Sequence, residues 1–279
     1  MFARIVLIVA LIAAFVAAVW WFELADRDER RVGEGELAPV AAEPPEPRHP
    51  LPEPITQIDP RAGERPDERV PDDDERAEES PPDSLPALED SDAYLVELLE
   101  ALFGTDRIAD WLVSERIAER SVVFINSLDS TPVPVEHRPV VPVPGRPQVA
   151  QDNEEERWSE ANFARYEPLI ELLISISPAE AASLYVNHYP LLQEAHAALA
   201  PETGYFNDRL VDIIDHLLDL PRPADAEFAL ERYEAAYRFA DETLEEASAG
   251  HKILMRIGPE HAEAVNDWLM RFRAVITSS

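Results

Sequence analysis

Asp212 and His216 stand four residues apart, one helical turn, with Asp208 and Asp215 beside them. A carboxylate and an imidazole at that spacing are what a divalent metal site draws on. One helix cannot enclose an ion, so His188, Glu194 or His196 would have to approach from a second element. The plainer account is a solvated face, because the chain carries 56 Asp and Glu against 24 Lys and Arg. A metal-dependent hydrolase or other enzyme centred on Asp212 and His216 is therefore the alternative expectation, and no cofactor is expected.

Recognition is the second chemistry on offer. Tyr205, Phe206, Asn207, Asp208 and Arg209 place two aromatics, a capping side chain, a carboxylate and a fork-shaped cation at one helix entrance. Tyr237 and Arg238, next to Phe239 and Asp241, repeat the mixture. Tyr and Arg dominate binding hot spots, so these seven residues are the candidate binding residues. Each also has a structural account: Tyr205 and Phe206 staple the helix into a core, Asn207 or Asp208 caps it, and Arg209 pairs with Asp212 or Asp241. Tyr185, His188 and Tyr189 likewise form either an aromatic pocket or a core cluster.

Other classes fall away. A net charge of -32 leaves nothing to neutralise phosphates in a stripe, which excludes nucleic acid as a partner. The chain has no cysteine, and no serine sits in Gly-x-Ser-x-Gly or Ser-x-x-Lys. Its 8 glycines form no phosphate-cradling loop. What remains is a non-enzymatic interaction or scaffold module with a protein partner.

The element that must position the first candidate cluster is Tyr205 to Leu218. Leu210, Val211, Ile213, Ile214, Leu217 and Leu218 share one broad helical arc, and Asp208, Asp212, Asp215 and Asp219 share the other. One face is therefore buried. Around it, residues 85–279 read as helices throughout: leucines at helical spacing from Leu95 to Leu102, a break at Gly104, a Ser114 cap for the next helix, and Ser159 capping another. Ser177, Pro178 and Glu180 form a capping box with a first-turn proline, and Pro190 is expected to kink or break the helix they start. Glu227 to Ala240 reads as helical, and Ser248 to Ile276 as a helical hairpin turning at Gly258 and Pro259. Between the two helical blocks, prolines from Pro132 to Pro147 alternate with valines, which predicts an extended crossing and forbids a central strand. The expected fold class is all-α, a helical bundle-like domain.

Ahead of this domain, Ile5 to Phe22 is an unbroken apolar run that would span roughly 27 Å as a helix, close to a bilayer's hydrocarbon thickness. Residues 1–22 are thus expected to be a transmembrane anchor contacting lipid, with Ala10, Ala14 and Ala18 able to seat a second helix in a homodimer. Residues 23–84, rich in proline and acid and poor in large apolar side chains, are expected to be a disordered linker. Arg27, Arg30 and Arg31 against Arg4 favour a cytoplasmic domain by arginine count, whereas the short amino-terminal tail weighs the other way. The expectation adopted is a single-pass protein of the bacterial inner membrane with a periplasmic domain.

Several short stretches, in order, resemble the bacterial domain-of-unknown-function 3014 family of single-pass membrane proteins: Leu85 to Ala93, Asn162-Phe-Ala-Arg-Tyr166, His188-Tyr-Pro190 with Gln193-Glu194, Tyr205 to Leu218, Tyr237-Arg-Phe-Ala-Asp241 and Ser248 to Glu260. The likeness covers residues 85–277 and implies an architecture, with no activity, ligand or catalytic residue attached. His251 and His261 stand where the family pattern has glutamine and asparagine, which argues against a catalytic role for either.

Overall fold

The computed structural model describes residues 46–52, 85–130, 137–152, 155–199, 204–220, 228–233 and 236–278. The expected anchor and most of the expected linker lie outside the described residues. Among the described residues no single helix is long and apolar enough to cross a membrane.

A 3-10 turn, Leu88–Asp90, leads into α1 (Ser91–Phe103), α2 (Thr105–Ile108) and α3 (Ile117–Asn126). Of the proline-valine crossing, residues 137–147 are described and pair with the stretch between α2 and α3. Val113 N–H donates to the Pro139 carbonyl at 2.9 Å and Val141 N–H to that of Trp111 at 2.9 Å, while Val140 and Val143 are buried in the core. After the strands β1 (Val149–Asp152) and β2 (Glu155–Trp158) come α4 (Glu160–Phe163), α5 (Glu167–Ile174), α6 (Pro178–Leu199) and α7 (Phe206–Leu218). Strands β3 (Ala229–Tyr233) and β4 (Ala236–Phe239) follow, then α8 (Glu242–Glu245), α9 (Ala249–Arg256) and α10 (Pro259–Ile276).

The four strands correct the all-α expectation, since they form one antiparallel sheet in the order β1-β2-β3-β4 and the fold is mixed α and β. Two hairpins distant in sequence meet through the pairs Glu156 with Leu230 and Arg157 with Ala229. The stretch read as a helix from Glu227 to Ala240 supplies β3 and β4. Leu230, Ala236 and Phe239 are buried, and facing pairs join β3 to β4: Glu231 lies opposite Arg238, its carboxylate 3.0 Å from the guanidinium, and Arg232 lies opposite Tyr237, donating to its hydroxyl at 3.0 Å. Such facing pairs are the unit of sheet stabilisation, and they outweigh the helix propensity of Ala, Leu, Glu and Arg. The sheet closes a small second core of Leu230, Phe239 and Met255.

The main core gathers around α6, α7 and α10. Leu210, Val211, Ile213 and Ile214 of α7 are fully buried, each contributing roughly 1.5–3 kcal/mol by removal from water. The α6 capping box is present, with Glu180 N–H donating to Ser177 Oγ at 3.2 Å and Ser177 N–H to Glu180 Oε2 at 3.3 Å. The helix runs on through Pro190 without a break. Ser114 does not cap α3. The amides of its N-cap, Arg116, and of its first residue, Ile117, donate instead to the Asp92 carboxylate of α1 at 2.7 and 2.9 Å.

Candidate functional site

Helix α7 begins at Phe206 with Tyr205 at its N-cap, and neither Asn207 nor Asp208 caps it. The Phe206 N–H donates instead to Gln193 Oε1 of α6 at 2.8 Å, and the same oxygen accepts from the Tyr189 hydroxyl at 2.6 Å. This cap from a neighbouring helix releases the two polar side chains of the first turn for other work. They hold a piece of the chain from far upstream.

That piece is residues 46–52, which lie against the entrance of α7 and bend at Arg48 and His49. The Asp208 carboxylate accepts two successive amides, Arg48 N–H at 3.0 Å and His49 N–H at 2.7 Å. Successive amides turned to one side make an anion-binding concavity, and here a side-chain carboxylate fills it. Asn207 Nδ2 donates to the His49 carbonyl at 2.7 Å. One turn further along α7, Asp212 accepts the Arg48 guanidinium in a two-pronged contact at 3.1 and 2.7 Å, and this pair raises the arginine's already high pKa. Leu51 packs against the main core.

The grip matches the sequence it holds. Pro47 and Pro50 have no amide hydrogen, so Arg48 and His49 carry the only backbone donors of Pro47-Arg-His-Pro50, and both go to Asp208. Beneath the segment, Asn207 is 1% exposed and Asp208 9%. Asn207 Oδ1 and the Tyr185 hydroxyl are buried and find no hydrogen-bond partner among the described residues. Burial, with Tyr189 and Asp208 nearby, pushes the Tyr185 phenol well above its usual pKa, so it stays protonated.

The other candidates divide between scaffold and surface. Phe206 is fully buried against Tyr185 and His196. Arg209 pairs with neither Asp212 nor Asp241; its guanidinium donates to both oxygens of Asp129 at 2.7 and 2.9 Å and to the Asn126 carbonyl at 2.7 Å. Burial would raise the Asp129 pKa, but the Arg209 fork and charge outweigh it and hold the carboxyl below its ordinary value. Tyr237 and Arg238 lie on β4, on a different element from the α7 cluster. Of the aromatic trio, Tyr185 is core, Tyr189 bonds Gln193, and His188 donates from Nδ1 to the Leu184 carbonyl at 2.9 Å, leaving Nε2 to accept from the Tyr94 hydroxyl at 2.8 Å.

Asp212 and His216 do not converge. Asp212 turns to Arg48 and Asp215 to Arg273, whereas His216 Nε2 lies 2.7 Å from Ser248 Oγ with its ring stacked on His251 at 4.2 Å. Burial and the neighbouring His251 lower the His216 pKa. Among the described residues no group of three or more His, Asp or Glu could hold a metal ion. Motif residues from the sequence are fastenings: Asn162 Oδ1 accepts from Gln148 N–H and Arg165, and Arg165 also donates to the Gly145 carbonyl at 3.1 Å, tying the crossing to α4. Ser159, Asp241 and Ser248 cap α4, α8 and α9.

What fold and site define together is a mixed α and β domain whose helix entrance grips a bent, proline-flanked peptide. The chain belongs to the family described as "Protein of unknown function (DUF3014)", whose model matches residues 117–273, more than half of the chain. The match takes in Asn207, Asp208 and Asp212 and leaves out Arg48, His49 and α1. No curated protein and no solved structure matches the chain.

Proposed function

We propose that this protein is a membrane-anchored, non-enzymatic interaction module of the bacterial envelope, and that its working site is the entrance of α7. The carrying observation is the Asp208 carboxylate accepting the consecutive amides of Arg48 and His49 while Asp212 takes the Arg48 guanidinium. A surface that reads backbone and side chain together is built for a polypeptide, as peptide-recognition sites generally are. The apolar run Ile5–Phe22 supports the anchor, and the excess of acid suits a basic partner segment.

Amide hydrogen exchange in the full chain tests the site. Arg48 and His49 are expected to be protected, and Asp208→Asn, which puts an NH2 where one acceptor oxygen stood, is expected to release them while the α7 amides stay slow. Exchange of both amides in the parent at the rate of an unstructured peptide would remove the basis of this reading.

A further inference from the structure

Two features mark residues 46–52 as a replaceable occupant. The hold is only partly buried: the Arg48 side chain is 59% exposed and that of Asp212 44%, so their ion pair is a weak, salt-screened one. The polar floor is also incompletely used, because Asn207 offers its amide nitrogen to His49 while its buried Oδ1 goes unpaired among the described residues. A buried acceptor left over in this way favours a ligand that brings one more donor. The chain's own segment, in contrast, gains from connection. Covalent attachment presents it at an effective concentration on the order of millimolar, enough to fill a site of modest intrinsic affinity.

We infer that the entrance of α7 is a receptor for Pro-Arg-x-Pro turns presented by another protein, and that Pro47-Arg-His-Pro50 is its built-in competitor. This rests on the site proposed above and names its ligand. The specificity follows from the contacts. Asp212 requires arginine, whose planar fork matches a carboxylate in a way lysine's point charge does not. Asp208 requires two adjacent amides turned to one side, and flanking prolines restrict the chain so that less entropy is lost on forming that bend. At position x, the hydrogen bonds run through the backbone, from the His49 amide to Asp208 and from Asn207 to the His49 carbonyl. The pattern Pro-Arg-x-Pro occurs once in this chain, so the internal occupant and the external ligand compete for one site.

The test is a fluorescent peptide with the sequence of residues 45–53, titrated by anisotropy against the full chain in detergent. Against the parent, binding is expected to be weak. Against Arg48→Ala, which loosens the internal segment by removing its ion pair with Asp212, apparent affinity is expected to rise by roughly two- to fivefold, as the occupied fraction of the site falls. Adding Asp208→Asn to that variant should cut binding by about tenfold or more, and adding Asp212→Asn by roughly two- to fivefold, in keeping with a charged acceptor of two amides and an exposed ion pair. Asp212 is exposed, so the second variant keeps the test valid should the first fail to fold. A probe with its own arginine changed to alanine should lose affinity for Arg48→Ala but not for Arg48→Ala, Asp212→Asn. Equal binding to parent and Arg48→Ala, indifference to Asp212→Asn, or no binding to Arg48→Ala at millimolar probe would each overturn the inference. The amide-exchange result stands apart from these: protected Arg48 and His49 amides with no probe binding would remove the external ligand and leave the docking site.

Discussion

Replacing Arg209 by alanine separates a fastening from a binding residue. Its guanidinium spans from α7 to the end of α3 through three hydrogen bonds of 2.7, 2.9 and 2.7 Å, two to Asp129 and one to the Asn126 carbonyl. Both side chains are about a third exposed, 29% for Arg209 and 33% for Asp129, so solvent screening lowers their worth below that of a fully buried pair. Taking net hydrogen bonds at about 0.5–1.5 kcal/mol each, with that discount, the loss is about 2 kcal/mol. In a domain of this size that corresponds to a melting temperature lower by roughly 4–8 °C. The deficit has a pH signature. The folded state holds the Asp129 pKa below its unfolded value of 3.8, so the fold binds fewer protons there than the unfolded chain. The stabilisation is complete above that value and is lost as pH falls through the depressed folded pKa. Calorimetric melting of parent and Arg209→Ala at pH 7 and at pH 3 should therefore show a gap that narrows in acid. A variant melting within a degree of the parent at pH 7 would refute the assignment, and Arg48 and His49 amides released by this change would show that Arg209 serves the docking site after all.

Three further outcomes are open to measurement. Gly250→Ala places a Cβ 2.3 Å from Leu217 Cδ2 and 2.9 Å from the Leu128 carbonyl, where α9 crosses α7, so denaturant titration should show a loss of about 1–3 kcal/mol or more. Asp92→Ala removes the acceptor for the amides of Arg116 and Ile117 at the start of α3 and should cost about 1–2 kcal/mol in the same assay, while Ser114→Ala should cost nothing measurable. His216 is held by burial and by His251 at a folded pKa below its unfolded 6.5, so the unfolded state binds more protons and stability is present above that value and falls with pH through the folded pKa. Between pH 7 and pH 5 the parent should therefore lose more stability than His216→Gln.

Amphipathic spacing made α7 and the final hairpin legible, because a buried helical face recurs in the sequence whatever it packs against. Local caps were equally readable at Ser159 and Ser177, where donor and acceptor lie within three residues of each other. Caps supplied from elsewhere were not: Asp92 serves α3 across 24 positions, and Gln193 serves α7 across 13. The β3–β4 hairpin was hidden for the same reason, since no Asn-Gly or Asp-Gly marks its reversal and its stability lies in facing pairs such as Glu231 with Arg238. Asn207 and Asp208 were singled out as binding residues from their types, yet their ligand was invisible, because proline and acid on either side of Arg48 and His49 read as linker. Only the separation of 160 positions between Arg48 and Asp208, closed in three dimensions, shows that seven of those residues belong with the domain.

The docked segment also fixes a length. With the chain held in a membrane at Phe22, as proposed, the folded body begins at Glu46 while the segment is seated and at Leu85 once it is released. Covalent geometry lets residues 23–45 stretch to at most about 80 Å and residues 23–84 to about 210 Å. Unseating seven residues therefore more than doubles the radius of the hemisphere that the domain can search above the bilayer, and multiplies its volume by more than tenfold. On the proposed anchoring, a ligand that wins the α7 entrance would thus lengthen the greatest distance the domain can stand from the bilayer.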